Sequence, residues 1–324
     1  MDIERFASDI IEETEKVIVG KHDKIEMIVM AILSGGHVLI EDLPGVGKTT
    51  LAKTLSLVLG CQFGRIQFVS DLLPSDIIGM QIFNQKTGDF ELRRGPVMVN
   101  MLLADEINRA IPRTQSALLE AMEEKQVTID GVTMKLPSPF FVIATENPVE
   151  RESTFNLPVA QMDRFLISLS IGYPDFEHEM EMLERVGTDI PFESLDTVAS
   201  VERVLEAQRV CRGIFVSDAV REYIVRIIDA TRHDPRIKLG ASPRASKALF
   251  QAGKTWAAMH GRDYVTPDDI VSISDAVLRH RIVLESSIGF SGIDSSSIIK
   301  EIISQIDASP SADRLANEIK TLNR

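Results

Sequence analysis

Apolar residues recur along the chain with two different periods, and the change of period divides it. Over residues 2–35 the spacing is helical. Ile3, Phe6, Ile10 and Ile11 share one face of a first helix, and Ile25, Ile28, Val29, Ala31 and Ile32 supply a second. Val17, Ile18, Val19 and Gly20 form the turn between them. Residues 37–40 are a short continuous apolar run, which passes into a glycine-bearing loop and then a helix over 50–59. Strand, glycine loop and helix in succession are the unit from which parallel α/β sheets are built. Further buried strands are expected at 99–104, 140–144 and 165–171. Two alternating segments read as hairpins, 81–92 turning near Gly88 and 127–136 turning at Asp130 and Gly131.

After Tyr173 and Pro174 the pattern is helical throughout, with helices expected at 177–186, 200–212, 217–232, 243–260 and 266–281. Ser217 with Asp218, and Thr266 with Pro267, are good helix starts. The expected domain boundary is near residue 190. It leaves a core domain over 1–190, with hairpin inserts near 81–92 and 127–136, and a helical domain over 191–324 that ends in a tail rich in Ser and Asp.

Composition narrows the classes. The 324 residues are 44% hydrophobic and 26% charged, an ordinary globular mixture. Net charge is -13, from 35 basic and 48 acidic residues, and no basic tract occurs, which argues against a stable nucleic-acid partner. Cys61 and Cys211 form no CxxC pair, and the six histidines show no metal-ligand spacing, so reduced thiols and no structural zinc are expected. The N-terminus is charged, and no stretch approaches the roughly 20 apolar residues of a membrane helix. A cytoplasmic protein without a transmembrane segment is the expectation.

The candidate chemistry gathers where the apolar strands end. Pro44, Gly45, Val46, Gly47, Lys48 and Thr49 follow the first strand. Glycines let backbone N–H groups approach the oxygens of a triphosphate closely; Lys48 adds a point charge for the β and γ phosphates, and Thr49 offers a hydroxyl to Mg²⁺. The strict loop pattern has a further glycine at position 42, where this chain has Asp42, one of the few side chains that tolerate positive φ. The strand over 99–104 delivers Asp105 and Glu106. Asp105 is suited to hold the water shell of Mg²⁺ and Glu106 to polarise an attacking water. We expect this acid strand to adjoin the strand of the glycine loop, so that Lys48 and the acid pair converge on one magnesium-bound triphosphate. Asn147, at the end of the 140–144 strand, can orient the lytic water and sense the γ-phosphate. Arg164, after Asp163, can be offered across a subunit interface to stabilise transition-state charge. Arg244 stands in the first turn of a helix begun by Ser242 and Pro243. A cation there opposes the helix dipole and points to a nearby anion such as a nucleotide phosphate. His37 and Trp256 read as structural.

Taken together with segments 103–110, 115–124, 141–148, 160–165, 240–245 and 278–281, these residues resemble the AAA+ ATPases, specifically the MoxR-type family, over roughly residues 15–285. The resemblance implies an α/β fold: an AAA+ P-loop core with a parallel five-stranded sheet, followed by a C-terminal all-helical lid domain. It implies ATP held by Val19, Gly20, Pro44, Gly45, Val46, Gly47, Lys48, Thr49, Thr50 and Arg244, and Mg²⁺ held through Thr49 and Asp105. In its terms Lys48 and Thr49 belong to Walker A, Asp105 and Glu106 are Walker B, Asn147 is sensor 1, Arg164 the arginine finger and Arg244 sensor 2. Arg109, Arg113 and Arg151 are further arginines that it brings near an interface. It also implies self-association into a ring, commonly a hexamer, that remodels or matures other proteins, with a separate von Willebrand A domain protein as partner. A metal-chelatase-type motor subunit and a nucleic-acid motor of the same superfamily remain the alternatives. One departure is the segment 151–155, where the family more often has a glycine-containing loop.

Overall fold

A computed structural model describes residues 1–148, 154–184, 195–289 and 292–309. The expected boundary near residue 190, the loop residues Arg151, Glu152 and Ser153, and the tail beyond residue 309 lie outside the described residues. The chain divides into two compact units, Met1–Val210 and Cys211–Arg324.

In the first unit the helices α1 (Ile3–Glu15) and α2 (His22–Ser34) precede β1 (Val38–Glu41) and α3 (Lys48–Val58). Then come β2 (Phe63–Gln67), α4 (Pro74–Ile78), β3 (Gly79–Asn84), β4 (Asp89–Arg94), β5 (Met101–Asp105), α5 (Pro112–Glu124), β6 (Gln126–Ile129) and β7 (Val132–Lys135). The unit continues through β8 (Phe141–Glu146), α6 (Val159–Met162), β9 (Ile167–Leu169) and α7 (Phe176–Glu184), and α8 (Val201–Arg212) runs across the division. Five strands form one parallel sheet in the order β2-β5-β8-β1-β9. β3 with β4, and β6 with β7, are separate antiparallel hairpins.

The central strands are apolar on both faces because helices cover both. Leu39, Leu102, Ala104, Val142 and Ala144 belong to a core that includes Leu118, Leu119 and Met122 of α5. Val38, Ile40, Leu103 and Ile143 alternate with them and are fully buried, and α3 contacts β5. At the foot of β1 His37 is buried, its Nδ1 accepting from the Val142 N–H at 3.1 Å, and burial pushes its pKa down to about 4.

Three expectations are corrected. The acid strand β5 does not adjoin β1, because β8 stands between them. The strand expected at 140–144 runs on to Glu146, with Thr145 and Glu146 in register with Ile40 and Glu41. Nor does Asp42 use a left-handed turn: among described residues other than glycine, positive φ occurs at Glu106, Lys125 and Asp130. Instead its buried carboxylate ties β1 to the segment leaving β9. It accepts from Ser170 Oγ at 3.0 Å, from the Gly172 N–H at 3.0 Å and from the Ile171 N–H.

The second unit contains α9 (Asp218–His233), β10 (Ile237–Leu239), α10 (Pro243–Met259), α11 (Pro267–Leu278), β11 (Val283–Leu284), α12 (Ser286–Gly289) and α13 (Ser295–Gln305). Among its described residues the regular structure is helical apart from the two-stranded β10–β11 ladder. Gly253 of α10 allows α11 close: a Cβ there would lie 2.6 Å from Ile270 Cδ1. Thr266 and Asp269 close the start of α11 as a capping box, and Arg262 donates to both Asp269 oxygens at 2.5 Å. No helix among the described residues is long and apolar enough to cross a membrane.

Asp42→Gly, which restores the strict loop pattern, should therefore weaken the fold. Loss of three hydrogen bonds to a buried carboxylate should cost roughly 3 kcal/mol, read as a lower midpoint in urea unfolding. A midpoint at or above that of the parent protein would contradict this role for Asp42.

Candidate nucleotide and magnesium site

The loop between β1 and α3 is built for close approach. Gly45 and Gly47 have φ of 87° and 81°, and a Cβ built on either meets nothing within 4 Å. Their backbone therefore borders open space and not core. Gly47 caps α3, so the unpaired N–H groups of the first helical turn begin at this loop. Pro44, Gly45 and Gly47 are exposed, and Val46, Thr49 and Thr50 are half-buried. Lys48 is buried, and its Nζ donates to the Asp42 carbonyl at 2.9 Å. Burial pushes its pKa down, while the carboxylates of Asp105, Asp42 and Glu106 push it back up. The loop lysine and the acid pair thus share one electrostatic neighbourhood although β8 separates their strands.

The acid pair is held by its neighbours on both sides. Thr145 of β8 donates its hydroxyl to Asp105 Oδ1 at 2.7 Å and accepts from the Glu106 N–H at 2.8 Å. From β2, Arg65 Nη2 donates to Asp105 Oδ2 at 2.7 Å and to Gln67 Oε1 at 2.9 Å. Gln67 Nε2 donates in turn to Glu106 Oε2 at 2.8 Å, and Arg109 Nη1 lies 3.3 Å from that same oxygen. Glu106 sits at φ 57°, a left-handed conformation that turns the chain sharply at the end of β5. The turn beneath it is braced by Gln115, fully buried, whose Nε2 donates to the carbonyls of Ile107, Ala110 and Phe155.

Asn147 follows β8 and is buried, and its carbonyl accepts from Asn108 Nδ2 at 3.4 Å. Beside it Glu146 is mostly buried, with Oε1 lacking any hydrogen-bond partner. Burial, reinforced by Glu41 on the next strand, pushes its pKa up to about 7. The remaining predicted residues lie on other elements. Arg164 follows α6, with Nε 3.1 Å from Glu123 Oε2, an ion pair in which the N–H is not aimed at the oxygen. Val19 and Gly20 belong to the turn before α2, and His178 of α7 packs so closely on Gly20 that a Cβ would lie 2.4 Å from its Cγ. Arg244 is in the first turn of α10, in the second unit, where its N–H donates to Ser242 Oγ at 3.0 Å.

Sequence reasoning missed Arg65, Gln67 and Thr145. The one signal for Arg65 and Gln67 is two polar residues at i and i+2 on a segment where only Ile66 is buried, and Thr145 leaves none. The residues present fit the expected ligands. The glycine cradle opens onto space that phosphates can fill, and the Thr49 hydroxyl and Asp105 carboxylate are hard oxygen donors of the kind Mg²⁺ takes.

Sheet order, glycine loop and acid-bearing strand together define a P-loop nucleotide-binding fold. The ATPase family associated with various cellular activities (AAA) matches residues 37–167, and the AAA lid domain matches residues 229–302. The chain is 48% identical to the uncharacterized protein YeaC of Bacillus subtilis, over 94% of this chain and 95% of that one. It is 44% identical to the chaperone MoxR1 of Mycobacterium tuberculosis, over 85% of this chain and 74% of that protein. A crystal structure from Cytophaga hutchinsonii, assigned as an ATPase, superposes with a TM-score of 0.89 at 39% identity, covering 95% of this chain and 96% of the other. The chain belongs to the MoxR family of AAA+ ATPases.

The raised Glu146 pKa predicts a pH-dependent cost. The unfolded chain loses this proton near its ordinary value of 4.5, while the folded protein keeps it to about 7. The unfolded state then binds fewer protons across that window, so stability falls as pH rises from 4.5 to 7 and stays low above it. Glu146→Gln should raise stability at pH 8 by on the order of 3 kcal/mol and change it little near pH 4.5. Thermal melts at both pH values would check this; equal effects at the two would contradict it.

Proposed function

We propose that this protein binds and hydrolyses ATP with Mg²⁺ at the ends of β1, β8 and β5, and uses the cycle to remodel or mature other protein complexes. The observation that carries the reading is the shared field of Lys48, Asp105 and Glu106 beside the open glycine cradle. In this reading the backbone N–H groups of Gly45 to Lys48, in the loop that Pro44 opens, and the α3 N-terminus bind the phosphates, and Lys48 leaves the Asp42 carbonyl to pair with them. Thr49 and Asp105 hold Mg²⁺, which supplies neutralisation of the developing phosphate charge. Glu106, aimed by the turn after β5, accepts a proton from the attacking water, and Asn147 orients that water. Val19, Gly20 and Thr50 complete the nucleotide contacts.

Arg164, part exposed beside Glu123, is presented in trans to a neighbouring subunit, and Arg244 couples the nucleotide to a helical lid. The active form is then a cytoplasmic ring, commonly of six subunits. In this reading residues 1–190 serve as the nucleotide-binding core and 191–324 as lid and tail. The relative named chaperone MoxR1 favours protein remodelling over the chelatase and nucleic-acid alternatives. A separate von Willebrand A domain protein is the partner that the family resemblance implies.

Two variants test this. Glu106→Gln should keep ATP binding within a few-fold and reduce phosphate release by about a hundredfold or more. Lys48→Ala should abolish magnesium-dependent nucleotide binding in calorimetry. Turnover by Glu106→Gln near the parent rate would remove Glu106 as base, and intact binding by Lys48→Ala would remove the site.

A further inference from the structure

Arg65 has no part in the reaction as set out above, yet it makes the shortest cation contact to the acid pair. Its Nη2 lies 2.7 Å from Asp105 Oδ2. The other Asp105 oxygen is taken by the Thr145 hydroxyl, so both carboxylate oxygens are engaged by protein donors. The two partners differ in freedom. The Thr145 hydroxyl is fixed on a central strand and also bonds the Glu106 N–H, whereas the Arg65 side chain is 46% exposed on an edge strand. An exposed guanidinium on a long stem can swing into water at little cost. Asp105, at the end of a buried strand with a side chain 13% exposed, cannot follow it.

We propose that Arg65 is a displaceable counter-cation that neutralises the Asp105 carboxylate and so sets how much magnesium the site needs. The inference rests on the assignment of Asp105 to Mg²⁺ made above. Two cations beside one carboxylate repel each other, so arrival of the hydrated ion would weaken the hold of Asp105 on the guanidinium and favour its release. The displacement also has a consequence for the base. The same Nη2 that holds Asp105 holds Gln67 Oε1, and Gln67 holds Glu106. Expulsion of Arg65 therefore removes one of the bonds that fix the Gln67 carboxamide on Glu106. Arg65 is a positioning residue, acting through Asp105 and Gln67 without touching substrate.

The test is a magnesium titration of ATP binding on the full-length chain, followed by calorimetry, with Arg65→Gln, Arg65→Lys, Asp105→Asn and the double variant Arg65→Gln/Asp105→Asn. Loss of one half-exposed ion pair predicts that Arg65→Gln reaches half-maximal affinity gain at about fivefold less magnesium than the parent protein. Arg65→Lys, which keeps the charge, should stay within twofold of the parent. Binding in EDTA should change little, and Arg65→Gln should have no effect in the Asp105→Asn background. An unshifted magnesium requirement in Arg65→Gln would overturn the inference. So would equal weakening of ATP binding at every magnesium level, the signature of an arginine that contacts phosphate. In either case loss of binding in Lys48→Ala shows that the nucleotide site itself stands, whereas parent-like binding there would sink both readings. Circular dichroism melts of each variant separate these outcomes from unfolding.

Discussion

The parallel ladder of β1, β8 and β5 fixes where the polar groups of this molecule can meet. Glu41 and Glu146 share a rung, and Ala104 and Ala144 share another, so the residues that follow these strands emerge at one edge of the sheet. The central strands have no other place to keep charge, because along β1, β5 and β8 every side chain before the last is buried. The insertion of β8 between β1 and β5 matters for this reason. Thr145 is the link between the glycine loop's neighbourhood and the acid strand, bonding Asp105 with its hydroxyl and receiving the N–H of Glu106. One hydroxyl thus ties the Asp105 carboxylate and the Glu106 backbone to β8.

The apolar framework was legible in the sequence wherever burial produced an unbroken pattern. The central strands are continuous runs, and Gly45 and Gly47 stand between strand and helix with Lys48 opening the helix, as the glycine-loop pattern implied. β2 left no such trace, since on this edge strand Ile66 alone is buried and Gly64, Arg65 and Gln67 look like loop residues. Helix α5 was not recognised as an element because its buried stripe contains Thr114 and Gln115. Gln115 is buried as a polar brace for the turn after β5, and a period count reads it as solvent-facing. Asp42 illustrates the opposite error. Its place in the loop pattern led to a backbone explanation, while its actual work is done by the carboxylate on Ser170, Ile171 and Gly172.

Strand order was also beyond the sequence. Three apolar runs ending in polar residues are compatible with several adjacencies, and local pattern carries no information on which pair side by side. Lys48 shares an electrostatic neighbourhood with Asp105 and Glu106 even so, because it opens the helix after β1 and they stand where β5 ends. The position of Asn147 next to both is a direct consequence of β8 being central, and it follows from topology more than from any property of the residue itself.

In the structure Lys48, Asp105, Glu106 and Arg164 each have a partner within the chain. Lys48 rests on the Asp42 carbonyl, Asp105 on Arg65 and Thr145, Glu106 on Gln67 and Arg109, and Arg164 beside Glu123. Such pairing is what burial demands, since an isolated charge at a sheet edge would be costly. It also means that a ligand must exchange contacts and cannot simply add them, so the net affinity is a difference between two well-satisfied arrangements. The partners that are easiest to release are the exposed ones, Arg65 at 46% and Arg109 at 40%, and both lie on the acids, away from the glycine loop. A site built this way stays rigid at Thr145 and the loop while its adjustable contacts are confined to one side of the sheet edge. Under the proposed reading, that asymmetry separates the binding of phosphate from the release of the base.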